Sequence, residues 1–282
     1  MIDLHIHTTA SDGDFSSKEI IDKALELGLK AIAITDHDTI DGIQEAIDYA
    51  EGKDIEIIPG VEIKCEEKSL NLPEVHILGL FIDSENKKLN NHLELMEKSA
   101  INQKQKMVEN LNKLGYKINF EEVKKLSNKV IGRLHIAKVL LKDNPDKFSD
   151  INDVFRKVLD EDKPGYVARH LPDMKTVIEI IKQANGLVFL AHPGIYGREK
   201  SLKLIKLFKE AEGRGLESYY YYKGTMDITD EKQEEMINLY KKIIKDENFL
   251  ETGGSDFHRE SRGPLGSVNV PDSILENLKK ER

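Results

Sequence analysis

The chain has 282 residues, enough for one large domain, or for one domain with an insertion, to bury an apolar core. Its formal net charge of −9 argues against a broad basic face that would bind long duplex nucleic acid, because such binding neutralises many phosphates. Small anionic ligands stay compatible with this charge, since clustered metal ions can reverse the potential inside one cleft.

The single cysteine, Cys65, excludes an internal disulfide and a cysteine-rich zinc site, and we expect it to be a small buried side chain. No apolar run approaches the roughly eighteen residues that a membrane span requires, so we expect no membrane partner. The first predicted strand begins at residue 2, which leaves no room for a secretory signal. Together these features predict a cytoplasmic protein.

Short apolar runs alternate with amphipathic helical patterns, which is typical of βα units whose strands are buried on both faces. Ser16 and Glu19 have the spacing of a capping box and predict the start of the first helix, and Gly28 predicts its end. The alternation predicts an α/β fold with seven parallel strands, at residues 2–7, 30–36, 55–63, 75–82, 186–193, 216–222 and 249–258.

The pattern changes between Phe81 and about His170, where a long polar helical stretch contains no convincing strand. Pro145 and Pro164 mark breaks between its predicted helices. We expect residues 1–93 and 171–282 to form the α/β domain, and residues 94–170 to form an inserted helical subdomain that caps the site.

Two histidines lie two positions apart on the first predicted strand. Because a strand projects alternate residues to one side, His5 and His7 point together while Leu4 and Ile6 enter the opposite layer. Functional groups of parallel α/β folds lie at the carboxyl ends of strands, and further candidate ligands recur at these ends here. The candidate metal ligands are His5, His7, Asp12, His37, Glu62, His76, His192, Asp256 and His258.

This mixture of imidazole and carboxylate without thiolate favours manganese, iron or zinc. Nine ligands are too many for one ion, and bridging carboxylates would allow two or three divalent ions. A lone histidine is more often structural, and we interpret His92 and His170 as structural or surface residues. The joint placement of the nine at separate strand ends favours metal binding, because buried unpaired imidazoles and carboxylates are unfavourable.

The motifs that carry these residues are DLHIHTTASDG, ITDHDT, PGVEI, HILGL, LAHPG and GSDFH, and they resemble those of the PHP (polymerase and histidinol phosphatase) family over nearly the whole chain. The resemblance implies a distorted (β/α)7 barrel with a trinuclear metal centre. It implies that the first ion is held by His5, His7, Glu62 and Asp256, the second by Glu62, His76 and His192, and the third by Asp12, His37 and His258.

The same resemblance implies a hydrolase, a phosphoesterase in which a hydroxide bridging two ions attacks phosphorus. Histidinol phosphatases of the family generally carry histidine where this chain has Asp12. The SDGxxS form, with GRLHIA and KPGYV in the insertion, is instead similar to stand-alone members. Those remove the 3'-phosphate from 3',5'-bisphosphonucleotides or trim short oligoribonucleotides from the 5' end. We therefore expect a small phosphorylated substrate, a nucleotide or a short oligoribonucleotide.

Further residues are candidates for the remaining roles. The leaving-group proton could come from Asp36, from Asp38 or from a metal-bound water, and the sequence does not separate them. Arg133 and His135 fit phosphate recognition but also an ordinary solvated helix start. The candidate substrate contacts are Arg133, His135, Lys163, Tyr166, Arg169 and Arg198. The run Tyr219–Tyr222 could stack a base, but we favour packing.

Two other functions remain compatible with the sequence. One is hydrolysis of histidinol phosphate or another small phosphomonoester, and the other is a non-catalytic, metal-stabilised module like some polymerase-associated relatives. Asp12 argues against the first, and the complete set of nine candidate ligands argues against the second.

Overall fold

The computed structural model describes residues 1–126 and 131–282. These residues form two compact units, one made of residues 1–93 and 171–282 and the other of residues 94–170. Within the described residues, no helix combines the length and the apolar character needed to cross a bilayer. Each unit has its own apolar core and is described separately below.

The secondary structure alternates strands and helices in the first unit and is helical in the second. The strands are β1 (Ile2–Ile6), β2 (Ala31–Ile34), β3 (Glu56–Glu67), β4 (Leu72–Leu80), β5 (Leu187–Leu190), β6 (Gly215–Tyr220) and β7 (Leu250–Gly254). The α-helices are α1 (Ser17–Glu26), α2 (Asp41–Ala50), α3 (Lys87–Lys113), α4 (Phe120–Lys125), α5 (Arg133–Asp143), α6 (Ile151–Val154), α7 (Met174–Gln183), α8 (Arg198–Glu210), α9 (Asp230–Glu247) and α10 (Asp272–Lys280).

The seven strands form one sheet in the order β1 to β7. Its two outer strands meet, since Ile6 bridges Phe257 in a parallel sense and the His7 amide donates to the Phe257 carbonyl at 2.9 Å. The sheet is therefore a nearly closed seven-stranded barrel. This confirms the predicted α/β barrel class, and closure places the residues that follow β1 beside those that follow β7.

The expectation of seven parallel strands is wrong for β4. This strand pairs antiparallel with both β3 and β5, whereas the other neighbouring strands pair parallel. The physical reason is the short connection from β3 to β4, a single 3₁₀ turn at Lys68–Leu70 followed by left-handed Asn71. A parallel pair requires a crossover of a dozen or more residues, which this connection cannot provide.

Local sequence explains the ends of the first helix. Ser16 caps α1 and forms the predicted capping box with Glu19, while Gly28 adopts a positive φ of 69° just beyond the helix. The apolar core of this unit combines strand residues such as Leu4, Ala33 and Phe189 with side chains of α10, including Leu278. Cys65 is a free, buried cysteine, as predicted.

The helical unit is built around a second apolar core. Met107 and Leu111 of α3 pack with Leu140 of α5 and Val154 of α6 in this core. A π-helical turn at Phe155–Leu159 follows α6 directly. The predicted helices of the insertion thus occur, and the core explains their apolar positions.

Candidate metal centre

Two imidazoles and two carboxylates form a first buried cluster. Alternation along β1 sends Ile2 and Leu4 into the apolar core and His5 toward the cluster, and His7 follows two positions later. His5 Nε2 lies 3.3 Å from Glu62 Oε1, and His7 Nε2 lies 3.0 Å from Asp256 Oδ1. All four of these side chains are buried, and one ligand atom from each lies within 4.8 Å of the others.

The backbone before Asp256 is fixed by a buried acid on β1. The Asp3 carboxylate accepts hydrogen bonds from the Ser255 amide at 2.9 Å and from the Ser255 hydroxyl at 2.6 Å. Gly254 is required here, because a Cβ at this position would collide with the backbone of His5. The small residues at the end of β7 therefore let Asp256 approach the two histidines of β1.

A second cluster shares Glu62 with the first. Glu62 Oε1 lies 3.1 Å from His76 Nδ1 and 3.0 Å from His192 Nε2, and those two nitrogens are 3.2 Å apart. His76 lies on β4, so the antiparallel strand contributes a candidate ligand beside Glu62 of β3 and His192, which follows β5. His192 follows β5 in a left-handed conformation, with φ 30° and ψ 55°.

A third cluster is more accessible than the other two. Asp12 Oδ1 lies 3.3 Å from His258 Nε2, and Asp12 Oδ2 lies 3.9 Å from His37 Nε2. His7 joins this cluster through Nδ1, 3.9 Å from Asp12 Oδ1. The Asp12 side chain is 46% exposed, in contrast to the buried carboxylates of the first cluster. The structure thus brings all nine predicted ligand residues together in three adjoining clusters.

Several ligand atoms are buried without a hydrogen-bond partner among the described residues. They are His5 Nε2, both ring nitrogens of His7, His37 Nδ1, Glu62 Oε2 and Asp256 Oδ1. Leaving polar atoms unsatisfied in the interior is unfavourable by about 1–3 kcal/mol each. Divalent cations would satisfy these lone pairs, so the side chains present fit a group of metal ions whose ligands are imidazole nitrogen and carboxylate oxygen.

Without metal, charge in the clusters is balanced by protons. Burial lowers the pKa of His7, but the nearby carboxylates of Asp256 and Glu62 outweigh it and raise the pKa to about 9. Burial also lowers the pKa of His76, but the negative charge of Glu62 outweighs burial and raises the pKa to about 9. Burial opposes ionisation of Glu62 and Asp256, yet the surrounding histidines hold both pKa values well below their usual range.

His5 and His37 respond in opposite ways to their surroundings. Burial disfavours the charged form of His5, but Glu217, Glu62 and Asp256 raise its pKa well above the ordinary value. Burial, reinforced by the positive charge of Lys64, lowers the pKa of His37 to about 3. His37 is therefore a neutral imidazole in the metal-free protein, whereas His5 is protonated and a bound metal would displace its proton.

The two aspartates considered for proton donation have defined structural contacts. Asp36 is buried, and its carboxylate accepts from the Thr8 amide at 2.8 Å, from the Thr8 hydroxyl at 2.7 Å and from the Ser11 hydroxyl at 2.5 Å. These bonds hold the segment that leads to Asp12. Asp38 adopts a positive φ of 53°, and its Oδ1 accepts from the Lys64 amide at 3.0 Å.

The predicted substrate contacts fall in both units. Arg198 begins α8 of the barrel unit, while Arg133, His135, Lys163, Tyr166 and Arg169 belong to the helical unit. Arg133 lies over the rings of Phe155 and Tyr166, and His135 Nδ1 accepts from the Gly132 amide at 3.0 Å. Arg169 donates to the Met96 carbonyl at 2.9 Å, and Lys163 pairs with Asp162. Their role in substrate binding stays a prediction.

Further residues that the sequence analysis did not identify contact the candidate ligands. Glu217 of β6 is fully buried, with Oε1 3.0 Å from His5 Nδ1. Arg262 Nη2 donates to Asp256 Oδ2 at 2.7 Å, and the Tyr220 hydroxyl donates to the same oxygen at 2.9 Å. The single acid in the otherwise uncharged run of β6 is a signal that could have identified Glu217.

The run Tyr219–Tyr222 packs within the barrel unit, as predicted. Tyr220 and Tyr222 are buried, with ring centroids 4.7 Å apart in an edge-on arrangement, and Tyr219 and Tyr221 pack against the barrel core. The rings of this run are thus part of the fold, and Tyr220 adds a hydrogen bond to a cluster carboxylate.

Lys64 and Glu74 add charge beside the second and third clusters. Glu74 Oε1 lies 3.0 Å from His76 Nε2, the nitrogen that faces away from Glu62, and 3.6 Å from the Lys64 ammonium. The carboxylate of Glu74 orients the His76 ring so that Nδ1 faces Glu62 and His192. Burial lowers the pKa of Lys64, but Glu74 and Asp38 raise it overall, so the ammonium is charged.

Comparison with known proteins gives consistent matches. A family model described as the PHP domain matches residues 3–167, more than half of the chain. A 5'-3' exoribonuclease from Haemophilus influenzae is 32% identical over 262 residues, covering 91% of this chain and 89% of that protein. A 3',5'-nucleoside bisphosphate phosphatase from Chromobacterium violaceum is 30% identical over 266 residues, covering 93% of this chain and 88% of that protein.

Solved structures include a similar fold. A candidate metal-dependent phosphoesterase from Bifidobacterium adolescentis superimposes with a TM-score of 0.79 and 26% sequence identity. The similarity covers 98% of this chain and 94% of that protein, so it includes both units.

Proposed function

Because this chain belongs to the PHP family of metal-dependent phosphoesterases, we propose that it hydrolyses phosphate esters of small nucleotides, either 3',5'-bisphosphonucleotides or the 5' ends of short RNA. The observation that carries the proposal is the convergence of nine imidazole and carboxylate side chains, several of which have buried polar atoms without a hydrogen-bond partner among the described residues. The names of two relatives, a nucleoside bisphosphate phosphatase and a 5'-3' exoribonuclease, support the substrate class.

We assign two or three divalent ions, manganese, iron or zinc, to these clusters. The ligand set proposed for the first ion is His5, His7, Glu62 and Asp256, for the second Glu62, His76 and His192, and for the third Asp12, His37 and His258. The position of Glu62 supports its role as the shared ligand. Its Oε1 lies near His5 of the first set and near His76 and His192 of the second, and its Oε2 lies near His7 and His37.

When bound, the ions supply Lewis-acid activation of water and neutralise negative charge on the phosphate. The chain contributes the fixed positions of these groups, because β1, β3, β4, β5 and β7 deliver their ligands from a nearly closed barrel. Asp12 is the most exposed carboxylate of the set, so we place phosphate entry on its side. When the phosphate is held in position and its negative charge is neutralised, an activated water can be the nucleophile. No side-chain nucleophile is then required.

Proton delivery and substrate recognition use other residues. The proposed donors to the leaving group are Asp36, Asp38 or a metal-bound water, and the two aspartates flank His37 in the segment that follows β2. The proposed substrate contacts carry cationic or hydrogen-bonding groups suited to phosphate and base, namely Arg133, His135, Lys163, Tyr166, Arg169 and Arg198.

The proposed cellular setting is the cytoplasm. The single cysteine of the chain is a free thiol, which suits a reducing compartment. The net charge of −9 supports small phosphorylated partners over long duplex nucleic acid, and we propose no membrane partner.

The direct test is hydrolysis by the purified full chain loaded with manganese, iron or zinc. We expect release of inorganic phosphate from adenosine 3',5'-bisphosphate, or of 5'-mononucleotides from 5'-phosphorylated short RNA, and loss of both after chelation. An Asp256→Ala, His258→Ala double variant should be inactive, whereas His170→Gln, an exposed histidine of the helical unit, should keep full activity. Undiminished activity of the double variant would refute the assignment.

Parallel substrates separate the alternative functions. Faster hydrolysis of histidinol phosphate than of the bisphosphonucleotide would replace the nucleotide assignment with a small-phosphomonoester one. Metal binding that raises thermal stability without any turnover of these substrates would favour a non-catalytic, metal-stabilised module.

A further inference from the structure

Glu217 contacts one residue in each of two candidate metal clusters. It lies on β6, is fully buried, and is the one acidic residue of that strand. Its Oε1 lies 3.0 Å from His5 Nδ1, and its Oε2 accepts a hydrogen bond from the His192 amide at 2.7 Å. His5 belongs to the first cluster and His192 to the second, so one carboxylate contacts a residue of each.

The contact with His5 determines which ring nitrogen is available to a cation. An ionised carboxylate only accepts hydrogen bonds, so Nδ1 of His5 must carry the proton in this pair. In the neutral ring, the form that binds a cation, the lone pair then lies on Nε2, which faces Glu62 Oε1 at 3.3 Å and Asp256 Oδ1 at 3.4 Å. A carboxylate behind a histidine ligand fixes both ring orientation and tautomer in this way.

The contact with His192 holds a backbone that is otherwise unfavourable. His192 adopts φ 30° and ψ 55°, in the left-handed region that a non-glycine residue rarely occupies. The bond from its amide to Glu217 Oε2 fixes the turn between β5 and Pro193. In that conformation the imidazole places Nε2 3.0 Å from Glu62 Oε1 and 3.2 Å from His76 Nδ1.

We propose that Glu217 is a positioning residue that fixes His5 and His192 together and thereby couples the occupancy of the two metal positions that share Glu62. The inference rests on the proposed metal-dependent function and deepens it, since Glu217 itself reaches neither substrate nor reacting atoms. An ion at the first position holds the His5 ring against Glu217. Glu217 in turn holds the turn that presents His192 to the second position.

The near-isosteric variant Glu217→Gln tests this, because an amide cannot accept at both ends. If its oxygen faces the His192 amide, its NH₂ group faces His5 Nδ1, and the proton moves to Nε2, where it blocks the cation. If the amide is flipped, its NH₂ group opposes the His192 N–H. The first orientation keeps both contacts but puts the His5 proton on the nitrogen that faces the cation, and the second loses the bond to the His192 amide. Neither changes the side-chain volume appreciably.

Glu251→Gln is the matched control. Glu251 lies on the neighbouring strand β7 and accepts from the Ser218 hydroxyl at 2.6 Å, a bond that glutamine can also accept. This variant removes one negative charge from the same sheet, away from the clusters. It should bind metal with the affinity and stoichiometry of the wild type.

The first measurement is zinc and manganese binding to the metal-stripped full chain, by calorimetry and by metal analysis of the dialysed protein. We expect Glu217→Gln to weaken two binding steps by about 10- to 100-fold and to retain fewer ions per chain. Weakening of a single step would overturn the proposed coupling, and unchanged affinities would overturn the positioning role.

The second measurement reads the ring proton of His5 directly. In zinc-loaded wild type with ¹⁵N label, we expect slowly exchanging protons on His5 Nδ1 and on the His192 amide. In Glu217→Gln we expect one of these two protons to lose its protection, according to the orientation of the new amide. A purely structural role would lower the melting temperature and leave both protons unchanged, which would contradict the proposal.

A Glu217→Asp variant keeps the test decisive if the glutamine variant does not fold. The shorter carboxylate still accepts at both ends, so we expect the His5 Nδ1 proton to persist while metal affinity falls less than for glutamine. The opposite order of affinities would overturn the inference. Because these readouts need no substrate, wild type that binds metal but releases no phosphate would refute the proposed function separately.

Discussion

Arg262 Nη2 donates a hydrogen bond to Asp256 Oδ2 at 2.7 Å, while Oδ1 of the same carboxylate faces His5 and His7 at 3.4 and 3.0 Å. The guanidinium therefore holds one oxygen and leaves the other for a cation. Arg262 comes from the loop after β7, and its side chain is 31% exposed. Arg262 therefore positions a carboxylate of the first cluster.

Replacing Arg262 with methionine should weaken metal binding and destabilise the metal-free fold. The variant leaves Asp256 with the Tyr220 hydroxyl as its one neutral donor on that oxygen, and we expect a loss of about 1–2 kcal/mol in denaturant unfolding. Arg214→Met is the control, since Arg214 pairs with Glu281 on the surface. Equal stability and metal affinity for both variants would contradict the positioning of Asp256 by Arg262.

Metal binding should release protons at neutral pH. His7 and His76 have pKa values of about 9, and that of His5 is also raised, so all three are protonated in the metal-free protein. His37, with a pKa of about 3, is already neutral. We expect about three protons to be released on saturation near pH 7.5. Calorimetry in buffers of different ionisation enthalpy measures this number, and no release would contradict the assigned histidines.

The metal-free protein should lose stability as the pH rises above neutrality. A histidine whose pKa rises from 6.5 in the unfolded chain to about 9 in the fold stabilises the fold fully below pH 6.5, and this contribution disappears as the pH passes 9. The metal-loaded protein should show no such decline, since its histidines are deprotonated. Melting temperatures measured with and without chelator between pH 6.5 and about 9 test this direction. A melting temperature of the metal-free protein that rises with pH would contradict the prediction.

Lys64 should contribute to substrate binding more than to turnover. Its ammonium lies close enough to His37 to lower the pKa of that ring, so it places positive charge beside the third cluster. We expect Lys64→Met to raise KM for phosphate substrates about five-fold, equivalent to about 1 kcal/mol, with a smaller change in kcat. Lys68→Met, at an exposed lysine paired with Glu66, should leave KM unchanged. A fall in kcat alone would indicate a different role.

The periodicity of the sequence was sufficient to place all seven strands within a few residues of their observed bounds. It could not assign the direction of β4, because an apolar run reads the same in either direction and only the short connection at Lys68–Leu70 excludes a crossover. The alternation of β1 predicted that His5 and His7 share a side, and this holds because Leu4 packs in the core.

Residues that act through the ligands were harder to find. Glu217 and His5 are 212 positions apart, and nothing local to either residue indicates that barrel closure brings them together. Arg262 lies in an irregular loop whose path depends on the bonds from Ser255 and Gly266 to Asp3. The periodicity of the sequence predicts which side chains are buried and to which side of a strand they point. It does not predict contacts between distant parts of the chain, which depend on tertiary packing.

Anomalous diffraction from crystals of the full chain grown with manganese or zinc, and without chelator, tests the central claim most directly. We predict two or three ions, each about 2.0–2.2 Å from the nitrogen and oxygen atoms of the nine residues, with Glu62 shared between two of them. Ions bound elsewhere while these nine side chains remain unliganded, in a protein that still hydrolyses phosphate esters, would contradict it.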